Sequence, residues 1–97
     1  MIAIPKKYRL VNNEWTTKWD GLAEDTDGIT EFDTATTRLR SGQRRSYTHH
    51  VFYHELQHQM LEAVGRPDLS ADEGLVDALA GVLHQFLQTK RGNLEKP

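Results

Sequence analysis

Two histidines and a glutamate near the middle of the chain form a pattern that can carry out hydrolytic chemistry. The segment His54-Glu55-Leu56-Gln57-His58 places two imidazoles four residues apart, and on a helix such residues share one face, one turn from each other. Both imidazoles can then reach a single zinc ion, and the glutamate between them can act as general base toward water. The spacing therefore predicts a metal site with His54 and His58 as ligands and Glu55 as the base.

The composition is that of one small folded domain. Of the 97 residues, 37% are hydrophobic and 27% are charged, a balance typical of globular rather than disordered proteins. The formal net charge of −2 gives no indication of a nucleic-acid partner. The absence of cysteine excludes disulfides and thiolate metal ligands. The first residues contain no long apolar stretch, which predicts neither a signal peptide nor a membrane-spanning helix, and hence a cytoplasmic location.

Turn signals, β-prone segments and helical spacing together predict an α+β domain over residues 1–97. Residues 1–45 are expected to form strands and loops, residues 46–92 two helices, and residues 93–97 a loose tail. The sheet is expected to contain about three strands in antiparallel or mixed pairing. Its candidate strands are residues 8–11, residues 29–33 paired with residues 21–25 across the Asp27-Gly28 turn, and residues 37–40, while residues 14–19 suit either strand or helix.

Both predicted helices have start and stop signals in the sequence. Thr48 is expected to cap the first helix, which Gly65 and Pro67 end near residue 64. Ser70 and Glu73 have the spacing of a capping box for the second helix, which is expected to run to about residue 90. Apolar residues at helical spacing form one stripe along the second helix: Leu75, Val76, Leu79, Val82, Leu83 and Phe86.

A catalytic zinc site needs a third protein ligand in addition to the two histidines. Glu73 begins the second helix, and the short link after the first helix brings it within reach of His58. Glu73 is therefore the predicted third ligand, with the capping box as its competing interpretation. Asp72 is the alternative ligand, and it also suits a helix N-terminus. Asp77 lies one turn beyond Glu73 and is expected either to orient a ligand imidazole or to be a solvated surface acid.

The other three histidines are not expected to bind this ion. His50 extends the face of His54 by one turn, about 6 Å past the ion, and is interpreted as a surface or pocket-lining residue. His49 points elsewhere and is interpreted as structural. His84 lies roughly 16 Å along the second helix from Glu73 and therefore cannot share its metal.

Two segments of the chain resemble a known family of metal-dependent enzymes. Tyr53-His54-Glu55-Leu56-Gln57-His58, followed by Glu73-Gly74-Leu75-Val76-Asp77-Ala78-Leu79-Ala80, resembles the zincin metallopeptidases of the thermolysin-like gluzincin type. The resemblance implies Glu73 as third zinc ligand and Asp77 as support for a ligand histidine. The arrangement is also similar to small zincin-like proteins of bacteriophages, which have a few strands, the His-Glu-x-x-His helix and a final helix. The resemblance to these proteins extends over about residues 27–87 of the chain.

The resemblance implies a peptidase that binds one Zn²⁺ ion and acts on a peptide or protein substrate, in the host cytoplasm if a phage encodes it. The chain departs from the large peptidases because it lacks a separate substrate domain, and no motif selects an oxyanion-stabilising residue among Tyr47, Tyr53 and Arg40. The zincin fold also implies a role for an edge strand, to which an extended substrate adds through main-chain hydrogen bonds. The residues predicted for that strand are Thr37, Arg38, Leu39 and Arg40.

Two other interpretations of the same residues remain open. The chain can be a metal-stabilised binding or regulatory module with little turnover, for which the two histidines are needed but Glu55 is not. It can also lack a metal altogether, with His54 and His58 forming a polar helix face. A polar edge strand likewise has a structural interpretation, because it prevents edge-to-edge aggregation.

Overall fold

Four strands and three helices make up the part of the chain, residues 3–92, that the computed structural model describes. The α+β class is confirmed, with four strands in a mixed sheet where about three were expected. The predicted tail at residues 93–97 lies outside the described residues. The elements are β1 (Lys7–Leu10), β2 (Asn13–Trp19), β3 (Gly28–Glu31), β4 (Thr36–Leu39), α1 (Arg45–Ala63), α2 (Pro67–Ser70) and α3 (Glu73–Gly92).

The strand order β1-β2-β4-β3 corrects two predictions about the sheet. β4 pairs in parallel with β2 and antiparallel with β3, so the strand predicted at an edge lies in the interior of the sheet. The predicted pairing of residues 21–25 with residues 29–33 is also wrong, because β3 pairs with β4 instead. β1 and β3 are the edge strands, and β3 has the more extensive contact with α1.

The polar character of β4 explains why it resembles an edge strand in the sequence. Thr36 and Thr37 are buried, and a buried hydroxyl must find a hydrogen-bond partner. The hydroxyl of Thr37 contacts the hydroxyl of Tyr8 at 2.7 Å and accepts a hydrogen bond from Gln59 at 2.8 Å. Partners on α1 and β1 therefore allow a threonine-rich strand to occupy the interior.

Helix α1 packs on the sheet, and α3 packs on α1. α1 begins at Arg45, earlier than the predicted cap Thr48, whose hydroxyl instead donates to the carbonyl oxygen of Arg44 at 3.1 Å. The helix ends before Gly65, which adopts a φ of 77° that favours glycine. The apolar core between the layers consists of Leu39, Phe52, Tyr53 and Ala80, with Ile4, Tyr8, Val51, Leu56, Leu83 and Leu87 packed against it.

The short helix α2 changes the predicted start of α3. Asp72 caps α3, because its Oδ1 accepts a hydrogen bond from the backbone N–H of Leu75 at 3.1 Å. The capping box predicted for Ser70 and Glu73 is therefore wrong, since Ser70 is the last residue of α2 and lies before the cap. The side chain of Glu73 is consequently free for another role.

The predicted apolar stripe of α3 divides into two faces. Val76 is buried and Leu83 is half-buried, whereas Val82 and Phe86 are exposed. Only part of the stripe therefore contributes to the core of the described chain. Over residues 3–92, none of the helices combines the length and the apolar character needed to cross a membrane.

Candidate metal centre

Three side chains from α1 and the start of α3 converge at one point. Oε1 of Glu73 lies 2.9 Å from Nε2 of His58 and 3.3 Å from Nε2 of His54. Each of these residues offers one ligand atom, and the three atoms lie within 4.8 Å of one another. Among the described residues this is the group of His, Asp and Glu side chains with metal-site geometry. The structure thus brings together the three residues that the sequence selected as ligands.

The spacing and chemistry of these three atoms fit a divalent ion such as zinc. Ligand bonds of about 2.0–2.1 Å in a tetrahedral site place neighbouring ligand atoms about 3.3 Å apart. The two distances from Glu73 are close to that separation. Two imidazoles and one carboxylate are also a donor set typical of catalytic zinc, and they leave a fourth position for water. Such a set suits other transition metals as well.

Each ligand imidazole has its second ring nitrogen engaged by another side chain. Nδ1 of His54 lies 3.1 Å from Oδ1 of Asp77, and Nδ1 of His58 lies 3.1 Å from Oγ of Ser70. A carboxylate can only accept from an imidazole, so Asp77 fixes the proton of His54 on Nδ1. Nε2 of His54 then faces the carboxylate of Glu73, an arrangement that suits a cation bound between them.

Ser70 is a site residue that the sequence analysis missed. It is buried, and besides its contact with His58 Nδ1 its hydroxyl approaches the carbonyl oxygen of His58 at 3.4 Å. The sequence contained a signal for Ser70, since it stands three residues before Glu73, but the capping box offered a sufficient explanation for that spacing. The real cap, Asp72, uses its side chain on Leu75, so the alternative ligand is engaged elsewhere.

His50 joins the site indirectly through Asp77. Nε2 of His50 lies 2.9 Å from the same Oδ1 atom that contacts His54. Hydrogen bonds from His50 first and His54 second hold the pKa of Asp77 below its usual value. One carboxylate oxygen therefore contacts two histidines on the same face of α1, while 59% of the Asp77 side chain is exposed to solvent.

The remaining histidines pack together away from the metal ligands. The ring of His84 stacks on that of His49 with centroids 6.5 Å apart and contacts Tyr53 at 5.3 Å. His84 is half-buried, and burial, followed by the proximity of His50 and His49, lowers its pKa. These contacts agree with the structural role predicted for His49, and His84 lies outside the group of ligand atoms, as predicted.

The predicted general base lies beside the three ligands and is buried. Only 9% of Glu55 is exposed, and its Oε1 accepts a 2.8 Å hydrogen bond from the hydroxyl of Thr30 on β3. Glu55 and the three ligands line one cleft of about 260 Å³, in which β3 forms the opposite wall. The wall residues are Gly28, Ile29, Thr30 and Phe32.

A buried network of hydrogen bonds extends from the base into the sheet. Nε2 of Gln59 donates to the hydroxyls of Thr30 at 3.1 Å and Thr37 at 2.8 Å, and its Oε1 accepts from the hydroxyl of Tyr8. Gln59 is 1% exposed, and burial raises the pKa of Tyr8. Because a buried polar network is stable only when its members are satisfied, these bonds fix Thr30, and through it Glu55.

A glycine allows β3 to approach α1 closely at this cleft. A β-carbon on Gly28 would collide with Cγ1 of Val51. Valine is stiff at χ1, so this contact could not be relieved by a simple side-chain rotation. The absence of a side chain at Gly28 therefore permits the separation at which Thr30 reaches Glu55.

None of the three candidate oxyanion residues lines the cleft. The hydroxyl of Tyr47 donates to Asp27 at 2.6 Å, and Tyr53 is in the core with 1% of its surface exposed. The guanidinium of Arg40 donates to backbone carbonyls of the loop before β3, including those of Ala23 and Thr26. Tyr47 and Arg40 therefore have polar partners outside the site, and Tyr53 is packed in the core.

The chain was compared with protein-family models, with curated proteins and with solved structures, and no match was found in any of the three comparisons.

Proposed function

We propose that this protein is a zinc-dependent metallopeptidase, a hydrolase that cleaves peptide bonds. The observation that carries the proposal is the meeting of a buried glutamate, Glu55, with three convergent ligand atoms in one cleft. A purely structural metal site requires the ligands but has no use for a carboxylate beside them. His54, His58 and Glu73 would hold the ion, with Asp77 and Ser70 orienting the two imidazoles.

The roles of the chain's own residues follow from this arrangement. When bound, zinc supplies Lewis acidity, which acidifies water and polarises the scissile carbonyl group. Glu55 accepts the proton of the attacking water at Oε1 or Oε2 and then delivers it to the leaving amine. Thr30 holds Oε1 through its 2.8 Å hydrogen bond and so fixes the orientation of the carboxylate in the cleft.

The edge of β3 is the surface that we assign to an extended peptide substrate, in place of β4. The N–H of Arg40 donates to the carbonyl of Asp27 at 2.9 Å, so these two residues form a directly bonded pair of the ladder. Bonded pairs alternate along an antiparallel ladder, which directs the backbone groups of Ile29 and Glu31 toward β4. The backbone groups of Gly28 and Thr30 then point outward, beside Glu55, where a peptide can add by β-augmentation.

The cytoplasm is the compartment that we propose for this reaction.

One observation favours a second function, that of a metal-stabilised binding or regulatory module. Tyr47, Tyr53 and Arg40 lie outside the cleft, so no candidate oxyanion donor accompanies the metal ligands there. An oxyanion donor contributes about 10²–10³-fold to turnover in other hydrolases. A chain without one can bind an extended peptide on β3 and release it uncut.

The substitution Glu55→Gln tests the proposal, because glutamine keeps the size of the side chain and removes its basicity. Zinc-loaded wild type is incubated with a mixture of peptides of varied sequence, and cleavage products are identified by mass spectrometry. We expect cleavage by wild type and a loss of at least about a hundredfold in Glu55→Gln, with zinc content unchanged. Equal cleavage by both proteins would exclude Glu55 as the base. Binding without cleavage by wild type would support the second function.

A further inference from the structure

Helix α3 presents an apolar stripe that no described part of the chain covers. The stripe consists of Leu75, Leu79, Val82 and Phe86. Leu75 is half-buried, and the other three are 37%, 67% and 60% exposed, respectively. At 3.6 residues per turn these four positions fall within about 60° of arc. A narrow, continuous row of large apolar side chains in water is typical of a helix that packs against another helix.

The spacing of the stripe identifies the kind of helix that fits it. The intervals of four, three and four residues are those of alternating d and a positions in a coiled-coil heptad. This order of intervals is the same when the helix is read in reverse. A second copy of α3 in the antiparallel direction therefore places Leu75 opposite Phe86, and Leu79 opposite Val82. Every apolar residue of the stripe then meets an apolar partner.

The charges at the two ends of the stripe favour the same antiparallel arrangement. Asp72 stands one turn before Leu75, and the sequence of the last turn of α3 is basic, with Lys90 and Arg91. Antiparallel packing brings the turn containing Asp72 beside the partner's turn containing Lys90, whereas parallel packing aligns like charges. Ala78 and Gln85, which flank the stripe, are uncharged. The stripe is thus complementary to itself in both shape and charge, which distinguishes a second copy from an unrelated partner.

We propose that the chain forms a two-fold symmetric dimer through the stripe of α3, with the two copies of the helix antiparallel. By helical position, Glu73 and Asp77 lie on the side of α3 opposite the stripe. Dimerisation therefore leaves both metal centres accessible, one on each outer side of the paired helices. The interface is independent of the proposed peptidase activity, because it uses none of the residues that line the cleft.

The association state of the full chain tests this proposal. Sedimentation equilibrium at roughly 100 µM is expected to give a dimer. Val82→Lys and Phe86→Lys should each raise the dimer dissociation constant at least about tenfold, because they bury a charge in an apolar seam. Gln88→Lys is the matched control, since it adds the same charge to an exposed position facing away from the stripe. A wild-type monomer at this concentration, or a dimer unaffected by both stripe variants, would overturn the proposal.

Orientation can be tested by disulfide cross-linking, because the chain contains no cysteine. In the antiparallel dimer, positions 75 and 86 face each other, while each lies roughly 16 Å along the axis from its own copy. Oxidation of mixed Leu75→Cys and Phe86→Cys proteins should therefore give the mixed disulfide in excess over either self-linked product. Predominant self-linking of each variant alone would show parallel helices and contradict the arrangement. Circular dichroism of every variant shows whether the fold is retained.

Discussion

The hydroxyl of Thr30 on the edge strand donates a 2.8 Å hydrogen bond to Oε1 of Glu55 on α1. The same hydroxyl accepts from Gln59, so the proposed base is fixed to the sheet by a buried chain of hydrogen bonds. These bonds therefore fix the position of the Glu55 carboxylate, the proposed base, relative to β3, the strand that we propose binds the substrate backbone.

Removing that hydrogen bond is expected to impair turnover without loss of metal. Thr30→Val keeps the shape of the side chain but removes the hydrogen bond that orients Glu55. If that bond stabilises the transition state by about 1.4 kcal/mol, its loss should lower kcat about tenfold with KM nearly unchanged. Thr30→Ser restores the hydroxyl and should recover most of the rate. Steady-state kinetics on a peptide found by the cleavage screen provides the measurement. An unaltered kcat in Thr30→Val would remove Thr30 from the mechanism.

Replacing a metal ligand is expected to reduce zinc binding, whereas replacing the neighbouring Asp72 is not. His54→Ala and His58→Ala should each abolish stoichiometric zinc binding, and Glu73→Ala should weaken it strongly, because each removes one of three converging donors. Asp72→Ala should retain zinc but lose about 1 kcal/mol of stability, since it removes the cap of α3. Metal analysis of purified protein, together with thermal melts, measures both effects. Full zinc content in His54→Ala would refute the site.

The residues behind the ligands should tune zinc affinity. Ser70→Ala and Asp77→Asn are each expected to raise the zinc dissociation constant about 10–100-fold, because the imidazoles of His58 and His54 lose the partners that orient them. Asp68→Asn serves as the control, since Asp68 pairs with Arg66 outside the site. Competition with a chromogenic chelator measures the affinities. Equal affinities in all three variants would mean that the ring orientation is set by packing alone.

Metal removal should destabilise the fold, because an ion that binds only the native state adds stability by mass action. Chelation is expected to lower the melting temperature by several degrees in a domain of this size. Differential scanning calorimetry before and after verified zinc removal tests this. An identical melting temperature would indicate that the metal centre and the fold are energetically independent.

Acidification should destabilise the metal-free protein partly through His84. Burial holds the pKa of His84 in the folded state below its ordinary value of 6.5, so the unfolded chain binds its proton more readily. Stability is therefore lost as the pH falls through 6.5 toward the lowered pKa. His84→Gln should show a smaller loss of melting temperature between pH 7.5 and pH 5 in chelator. Parallel curves for the two proteins would exclude this contribution.

The ligand residues were predictable because they depend on local geometry. Residues four apart on a helix must share a face, so the relation of His54 to His58 follows from sequence spacing. The place of Glu73 required only that a short connection return the chain over α1. Ser70 was not predicted, because a serine three residues before a glutamate also satisfies a capping box. The extra turn of α2 that displaces the cap begins at Pro67, which also suits the end of the preceding helix.

The sheet was harder to predict because strand neighbours are set by long-range contacts. β4 reads as a polar edge strand, and its interior position depends on Gln59 and Tyr8, which lie far from it in sequence and satisfy Thr37. The sequence likewise shows one apolar stripe on α3 without indicating that Val82 and Phe86 are exposed. Helical spacing identifies an apolar face, but it does not specify whether that face meets the same chain or another molecule.

The contact of Gly28 with Val51 limits how the cleft can diversify. β3 and α1 can approach this closely because Gly28 has no β-carbon. Any larger residue at position 28 would push the strand and the helix apart and break the hydrogen bond between Thr30 and Glu55. Variation in substrate preference must therefore arise at positions 29 and 32, whose side chains reach the solvent. In a mutational scan, position 28 should consequently tolerate almost no replacement, while its two neighbours in the same wall accept many.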